Sequence, residues 1–426
     1  MRRMHQPETT GDASPVDDLS PVFDPGPTLP TIAAAQARIE AVRPDAYART
    51  RNALDGAVSK LSPYITHGFV TLNDVLAGVN ARDALHVQHK FVYELGWREF
   101  FRHVWQHQGT AIFQSLHEGP LPEHVYATEF PADIREGRTG VPVVDMAVRA
   151  LYASGYLHNH ARMWLASYVV HVRKVHWRAG ADWLYAHLLD GDLASNHLSW
   201  QWVAGTGSSK PYLFNAENVA RFAPADWHSA GSVVDVSYEV LDRMACSEDV
   251  PSTASRQSHP RDLALAEPEL HSVPPASLGA TAPDAAAVAG REVWLVHAWN
   301  LGELPVDLPP DTLVIGLFLA DFHRDWPWSE SRWQFVGTRM VEMTALRWHA
   351  DSAAVGAALG AARRVRSRAD PHLMPWQAQW SACTPAPLLF PEVDRPCASF
   401  SQWWKRATQG LQTADDLLAA NEVPNP

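Results

Sequence analysis

Two periods of apolar and polar residues divide this chain. Over residues 31–222 apolar positions recur every three or four residues, which predicts amphipathic helices. TIAAAQARIEAV (31–42) and FVTLNDVLAGV (69–79) read as early helices. Between them SKLSPYITHG (59–68) reads as a turn, because Pro63 biases Ser62 away from the helical region and Gly68 punctuates. ALHVQHKFVYELGWREFFRHVWQ (84–106) sets Glu94, Trp97, Arg98, Phe101 and Trp105 on one helical stripe. A Glu and an Arg within such a stripe mark either an internal salt bridge or the border of a polar pocket. VVDMAVRALYASG (143–155) predicts a helix closed by Gly155, and LHNHARMWLASYVVHVRKVHW (157–177) a longer one that places Asn159, Arg162 and Met163 on one face.

Beyond residue 290 the pattern changes. REVWLVHAW (291–299) and DTLVIGLFLAD (311–321) are short, continuously apolar runs that read as buried strands. The amphipathic segments SRWQFVGTRMVEMTALRWH (331–349) and SAAVGAALGAARRV (352–365) follow them as helices, and this alternation predicts a small parallel α/β domain. Residues 226–290, rich in Ser, Pro, Ala and acidic side chains, read as a disordered linker between two domains. Residues 1–30 and 411–426 read as tails.

Composition narrows the class. The formal net charge is −12, the wrong sign for a nucleic-acid binder. The charge is unevenly spread, however: residues 31–222 carry 18 Lys and Arg against 17 Asp and Glu, a net of +1, so the remainder carries −13. That count permits a local basic face. No run of about eighteen apolar residues suggests a membrane span, and the first residues lack the apolar segment of a secretory signal, so the cytoplasm is expected. Cys246, Cys383 and Cys397 form no CxxC pair, which predicts reduced thiols and no zinc site. No GxGxxG or Walker loop supports a dinucleotide or P-loop site in the C-terminal part.

The densest candidate chemistry lies in residues 180–222, GADWLYAHLLDGDLASNHLSWQWVAGTGSSKPYLFNAENVARF. Asp190, Asp192 and Asn196 stand among Trp200, Gln201 and Trp202. Buried polar groups need partners, and a flat ligand with polar edges would supply them.

Five collinear motifs, YELGWREFFRHVW, GRTGVPVVDMAVRAL, GYLHNHARMWLASY, HWRAGADWLYAHLLDGDLASNHLSWQWVAGTG and PYLFNAENVARF, resemble the flavin-binding helical domain of the DNA photolyase and cryptochrome family. The resemblance covers roughly residues 30–225 and implies FAD as cofactor. It implies an all-helical FAD-binding domain (31–225) followed by a small Rossmann-like parallel α/β domain (291–410). By position it assigns phosphate gripping to Tyr47 and the turn Val58, Ser59, Lys60, Leu61 and Ser62, where Val58-Ser59 replaces the family's usual Thr-Ser. Arg98, Asn159 and Arg162 match residues around the flavin and its pyrophosphate; Asp190, Gly191 and Asp192 match its polar edge and ribitol; Asn196 matches the position facing flavin N5. Glu94, Trp97, Asn159, Met163 and Trp202 match the pocket for a flipped-out cyclobutane pyrimidine dimer, where indoles stack and a carboxyl group meets the base edge.

Trp200 and Trp177 match the first two members of the family's electron-supply chain, and the third position falls on His124. The implied activity is light-driven repair of pyrimidine dimers in DNA by a monomer; the alternative is a cryptochrome-like blue-light photoreceptor without repair. Order is the departure: the family's α/β antenna domain precedes its helices, whereas here an α/β segment follows them. Its CASFSQWWKRATQG (397–410) resembles the motif that closes the antenna domain. Relocation with a second antenna chromophore, and a remnant that binds none, both stay open.

Overall fold

The computed structural model describes residues 28–250 and 264–420. Six helices position the features that follow: α1 (Lys90–Gln108), α2 (Asn159–Ser167), α3 (Trp177–His187), α4 (Leu193–Ala204), α5 (Glu330–Met343) and α6 (Phe400–Ala407). Helix α1 starts where His89 caps the Phe91 amide through its ring. The expected long helix over 157–177 is two helices, α2 and α3. Between them lie a wide turn, Tyr168–Val172, and Lys174 at φ 53°, a left-handed conformation that ends any right-handed helix. The expected turn over 59–68 contains a short helix, Ser62–Thr66, because Pro is tolerated in a first turn, where its missing N–H is not needed.

Downstream, five parallel strands form one sheet: β1 (Glu292–His297), β2 (Leu313–Leu319), β3 (Leu346–Ala350), β4 (Arg364–Arg368) and β5 (Ala382–Thr384), in the order β3-β2-β1-β4-β5. This is the doubly wound order, with its reversal between β1 and β4. Strands β1 and β2 are the two apolar runs, buried on both faces. β3 falls almost wholly at the end of the segment 331–349 read as helical, and β4 begins at the last two residues of the segment 352–365; both are only partly buried, and the single apolar residue of RVRSR gives no strand period to read.

The expected linker is ordered wherever it is described. Tyr238–Ala245 is a helix with Leu241 and Ala245 buried, and the buried Lys174 ammonium caps its end by donating to the carbonyls of Met244 (2.5 Å) and Ala245 (3.4 Å). Glu267 accepts from Trp183 Nε1 (2.9 Å) and pairs with Arg135 (2.8 Å), and Leu278 packs over Gly337. A few apolar anchors and specific polar partners hold a segment whose composition is that of a linker. Within the expected C-terminal tail, Ala414–Ala419 forms a helix behind a Thr413–Asp416 capping box, and Leu417 is fully buried. The N-terminal tail falls outside the described residues up to residue 27.

Nor does the core divide at the expected boundary. One hydrophobic cluster runs from Tyr64, Phe100 and Tyr185 through Val296 and Trp328 to Trp404, while a second, around Trp164, Leu184 and Phe214, takes in Val234 and Leu265 of the expected linker. Glu99 of α1 pins the two parts together: its carboxylate accepts from the amides of Leu389 (2.6 Å) and Phe390 (3.0 Å). Burial outweighs these bonds and the nearby Arg102 and Arg98, and pushes Glu99 up to about 7. A carboxyl raised above its unfolded value of about 4.3 makes the folded state lose stability as pH rises from that value to about 7. Glu99→Gln removes this dependence, so the Tm of the variant relative to wild type should rise between pH 5 and pH 8. A constant difference across a thermal-melt series would contradict this.

Candidate functional site

The site is built on the connection between α3 and α4. Asp192 caps α4, accepting from the Ser195 amide at 2.9 Å, and this fixes the direction in which the helix departs. Gly191 is required by a close approach: a Cβ there would lie 2.5 Å from Arg332 Nη1 and 2.8 Å from the Tyr185 carbonyl. Arg332, on α5 and fully buried, donates to the carbonyls of Gly191 (2.6 Å) and Tyr185 (3.2 Å) and lies over the Trp328 ring at 4.1 Å. The downstream part of the chain therefore grips this loop from behind.

Two buried carboxylates face guanidinium groups. Arg162 of α2 donates through Nη2 to both oxygens of Asp190, at 2.9 and 2.8 Å. Asp192, 1% exposed, meets Arg102 at 3.2 Å and Arg98 at 3.6 Å, both on α1. Arg98 also donates to Thr66 Oγ1 (3.1 Å), whose hydroxyl donates to the Asp190 carbonyl (3.2 Å). Burial opposes ionisation of Asp190, but Arg162, the Ser62 hydroxyl and Arg98 hold it below the usual carboxylate range. Asp192 is likewise buried, and Arg98 and Arg102 hold it far below that range.

One turn into α4, Asn196 donates through Nδ2 to the Ala181 carbonyl at 2.8 Å. Asp192, Asn196 and Trp200 follow at four-residue spacing and share a face. Trp200 and Trp177 are both 2% exposed; Trp200 lies on α3 at Gly180, where a Cβ would be 2.4 Å from its ring, and Trp177 Nε1 donates to Ser115 Oγ at 3.0 Å. His124 is exposed. Nearer rings continue from Trp177: His176 at 5.6 Å, with Tyr126 another 6.4 Å on, and His197 at 6.4 Å, with Trp326 another 5.4 Å on.

The remaining sequence-predicted residues are less convergent. Glu94 accepts from Arg51 (3.3 Å) and pairs with Lys90 one turn away (3.0 Å), whereas Arg98 of the same stripe turns to Asp192, so the two stripe charges are paired to other residues and not to each other. Tyr47 meets Phe91 edge-on at 5.4 Å. In the turn 58–62, Lys60 has φ 50°, and the amides of Ser59, Leu61 and Ser62 have no backbone acceptor among the described residues, which suits an anionic ligand. Asn159 is exposed, and among the described residues its side chain donates only to Met163 Sδ, at 3.7 Å. Trp202 is 39% exposed and leans on Tyr212. One face of the Trp97 indole is stacked on Phe400 of α6, 4.0 Å between centroids and 11° between planes, so that face is not available to a base.

Sequence reading missed Thr66, Arg102, Asp370, His372 and Arg332. Arg102 follows Arg98 by four residues on the same face and carried a usable signal. Arg332, Asp370 and His372 carried none, because nothing local announces a partner well over a hundred residues away.

Residues 91–231 match the model of the FAD binding domain of DNA photolyase. A deoxyribodipyrimidine photo-lyase of Thermus thermophilus is 38% identical over 214 residues, covering 47% of this chain and 49% of that protein. A cryptochrome DASH of Idiomarina loihiensis is 32% identical over 169 residues, 38% of each chain. The cryptochrome structure from Synechocystis sp. PCC6803 is 28% identical, covers 45% of this chain and 43% of that one, and has a TM-score of 0.40. The chain spans about half the length of the first of these relatives and less of the others. Residues 91–231 are a FAD-binding domain of the DNA photolyase type, with FAD as the cofactor of the helical part, and the chain is similar there to DNA photolyases and to a cryptochrome. The donor set fits that cofactor: buried carboxylates with ribityl and ring-edge hydroxyl and N–H groups, guanidinium groups and amides without backbone acceptors with a pyrophosphate, and a carboxamide with a ring edge.

Proposed function

We propose that this chain is a deoxyribodipyrimidine photolyase that binds FAD between α1, α2 and α4 and splits cyclobutane pyrimidine dimers in DNA under blue light. The observation that carries this reading is the pair of buried ion pairs, Arg162 with Asp190 and Arg98 with Asp192, on the same surface as Asn196 and inside the matched segment. Asp190 and Asp192 stay ionised throughout the neutral range and offer fixed acceptors, Asn196 offers a donor and an acceptor in one rigid group, and the turn 58–62 offers amides to phosphate. Bound FAD, when reduced and excited, supplies a strongly reducing electron; positioning and electrostatics fall to the protein. Glu94 hydrogen-bonds the extruded base edge and Trp202 supplies an exposed ring for stacking. Trp200 and Trp177 are the oxidisable side chains that refill the cofactor, with Tyr126 in the role that His124 cannot serve.

The test is repair of a thymine-dimer oligonucleotide by chemically reduced protein under blue light, since chemical reduction bypasses the tryptophans. Wild type should repair, and Glu94→Gln should lower repair roughly tenfold with FAD still bound, the value of one hydrogen bond to the base. Loss of FAD in Glu94→Gln would instead place this residue in the cofactor site. No repair by fully reduced, FAD-loaded protein would favour the photoreceptor reading, which the covered face of Trp97 supports.

A further inference from the structure

We propose that Asp370 and His372, at the carboxyl end of β4, are positioning residues for Asp192, so that the switch point of the α/β sheet forms the outer half of the flavin site. This rests on the FAD reading above. In open α/β sheets the crevice beyond the strand ends where the order reverses is the usual place for a ligand. Here that crevice, between the ends of β1 and β4, is filled by side chains of the helical part. The ring of His372 is stacked on Trp299 (4.3 Å, 7°) and meets the edge of Trp105 of α1 at 5.0 Å.

From the same place runs a closed set of polar contacts. Arg102 bridges two buried carboxylates, with Nη2 at 3.2 Å from Asp192 and Nη1 at 3.2 Å from Asp370. Asp370 Oδ1 lies 2.6 Å from His372 Nδ1. That contact assigns the ring proton to Nδ1, and Nε2 is then the acceptor for the Leu193 amide at 3.3 Å. Leu193 is the first residue of α4 and directly follows Asp192. Asp370 thus holds the Asp192 side chain through Arg102, and His372 holds the backbone beside it.

Charge enters as well. Arg98, Arg102 and Arg162 face Asp190, Asp192 and Asp370, with His372 neutral and the buried Arg332 behind the loop. Neutralising Asp370 makes the surroundings of the cofactor more positive by one charge, where charges are poorly screened. A positive charge favours the more electron-rich, reduced state of a bound flavin. A dyad that served stability alone would lower the melting temperature and leave the flavin's potential where it was.

The experiment compares FAD-loaded wild type with Asp370→Asn and Asp370→Glu by spectroelectrochemical titration and by FAD release. Asp370→Asn should raise the two-electron midpoint potential by about 30 mV or more, a tenfold change in the relative affinity for the two redox states, and Asp370→Glu should return it toward wild type. An FAD-loaded wild type with an unchanged potential in Asp370→Asn overturns the positioning role and leaves the FAD reading intact. A wild-type chain that binds no FAD overturns both. Should Asp370→Asn fail to fold, His372→Phe keeps the ring on Trp299 and removes both hydrogen bonds. It should weaken FAD binding at least tenfold, and an unchanged affinity overturns the proposal.

Discussion

Asp192→Ala is expected to destabilise the protein by about 3–5 kcal/mol, the range measured when one partner of a buried ion pair is removed. The carboxylate is 1% exposed, caps α4, and is the shared partner of Arg98 and Arg102. Its loss leaves Arg98 without its nearest carboxylate and Arg102 with Asp370 alone, and burial already works against the charge of Arg98. The lost cap adds about 1 kcal/mol within that range. Urea unfolding should show a lower midpoint at unchanged slope, together with loss of bound FAD. The pH sign follows from the depressed carboxyl: its contribution is complete above the unfolded value of about 3.9 and fades only as pH falls through the lower folded value, so the deficit of Asp192→Ala should be constant from pH 5 to pH 8. A deficit below 1 kcal/mol would mean that the two arginines find other partners.

Arg332→Ala is expected to cost a similar amount, about 3–5 kcal/mol, for a different reason. Arg332 is fully buried and makes no ion pair among the described residues; its neighbours are two carbonyls and the rings of Trp328 and Tyr185. Burial lowers its pKa, and the nearby Tyr185, Asp190 and Asp192 only partly offset this. Truncation removes a large buried side chain, at about 2–5 kcal/mol, and leaves the Gly191 and Tyr185 carbonyls without donors, at about 1–3 kcal/mol each before relaxation. Arg332→Met separates these terms, since it fills the volume and drops the charge. Chemical unfolding should place it between alanine and wild type. A methionine variant as stable as wild type would show that desolvating the guanidinium cancels what its hydrogen bonds return. Both variants should release FAD faster, because Arg332 fixes the carbonyl between the two carboxylates.

The helices of the first half were legible because amphipathic periods and caps are local. Gly155 at φ 64° and the i, i+4 spacing of Asp192, Asn196 and Trp200 needed nothing beyond a few neighbouring residues. The apolar runs of β1 and β2 were legible for the same reason, whereas β3, partly buried, looked like the end of the helix before it, and β4, with three arginines and one apolar residue, carried no strand signal. Segments with few apolar residues misled most. In the supposed linker Leu241, Leu265 and Leu278 are each accommodated by grooves built elsewhere, and the supposed tail is held by Leu417 and by backbone bonds to residues 85 and 87.

By itself the sequence determined most of the helices, the two central strands, the resemblance to a photolyase-type FAD-binding domain and which residues of α1–α4 share a helical face, since spacing along one helix is a property of the chain alone. Only the tertiary structure decided that Trp97 gives one face to Phe400, that Glu94 is paired to Arg51 and Lys90, and that Arg332, Asp370 and His372 close the site from the far half of the chain. Those contacts join residues 43 to 303 positions apart or compete for one charged group, and such pairings are settled by packing the whole chain at once and leave no periodic trace in the sequence.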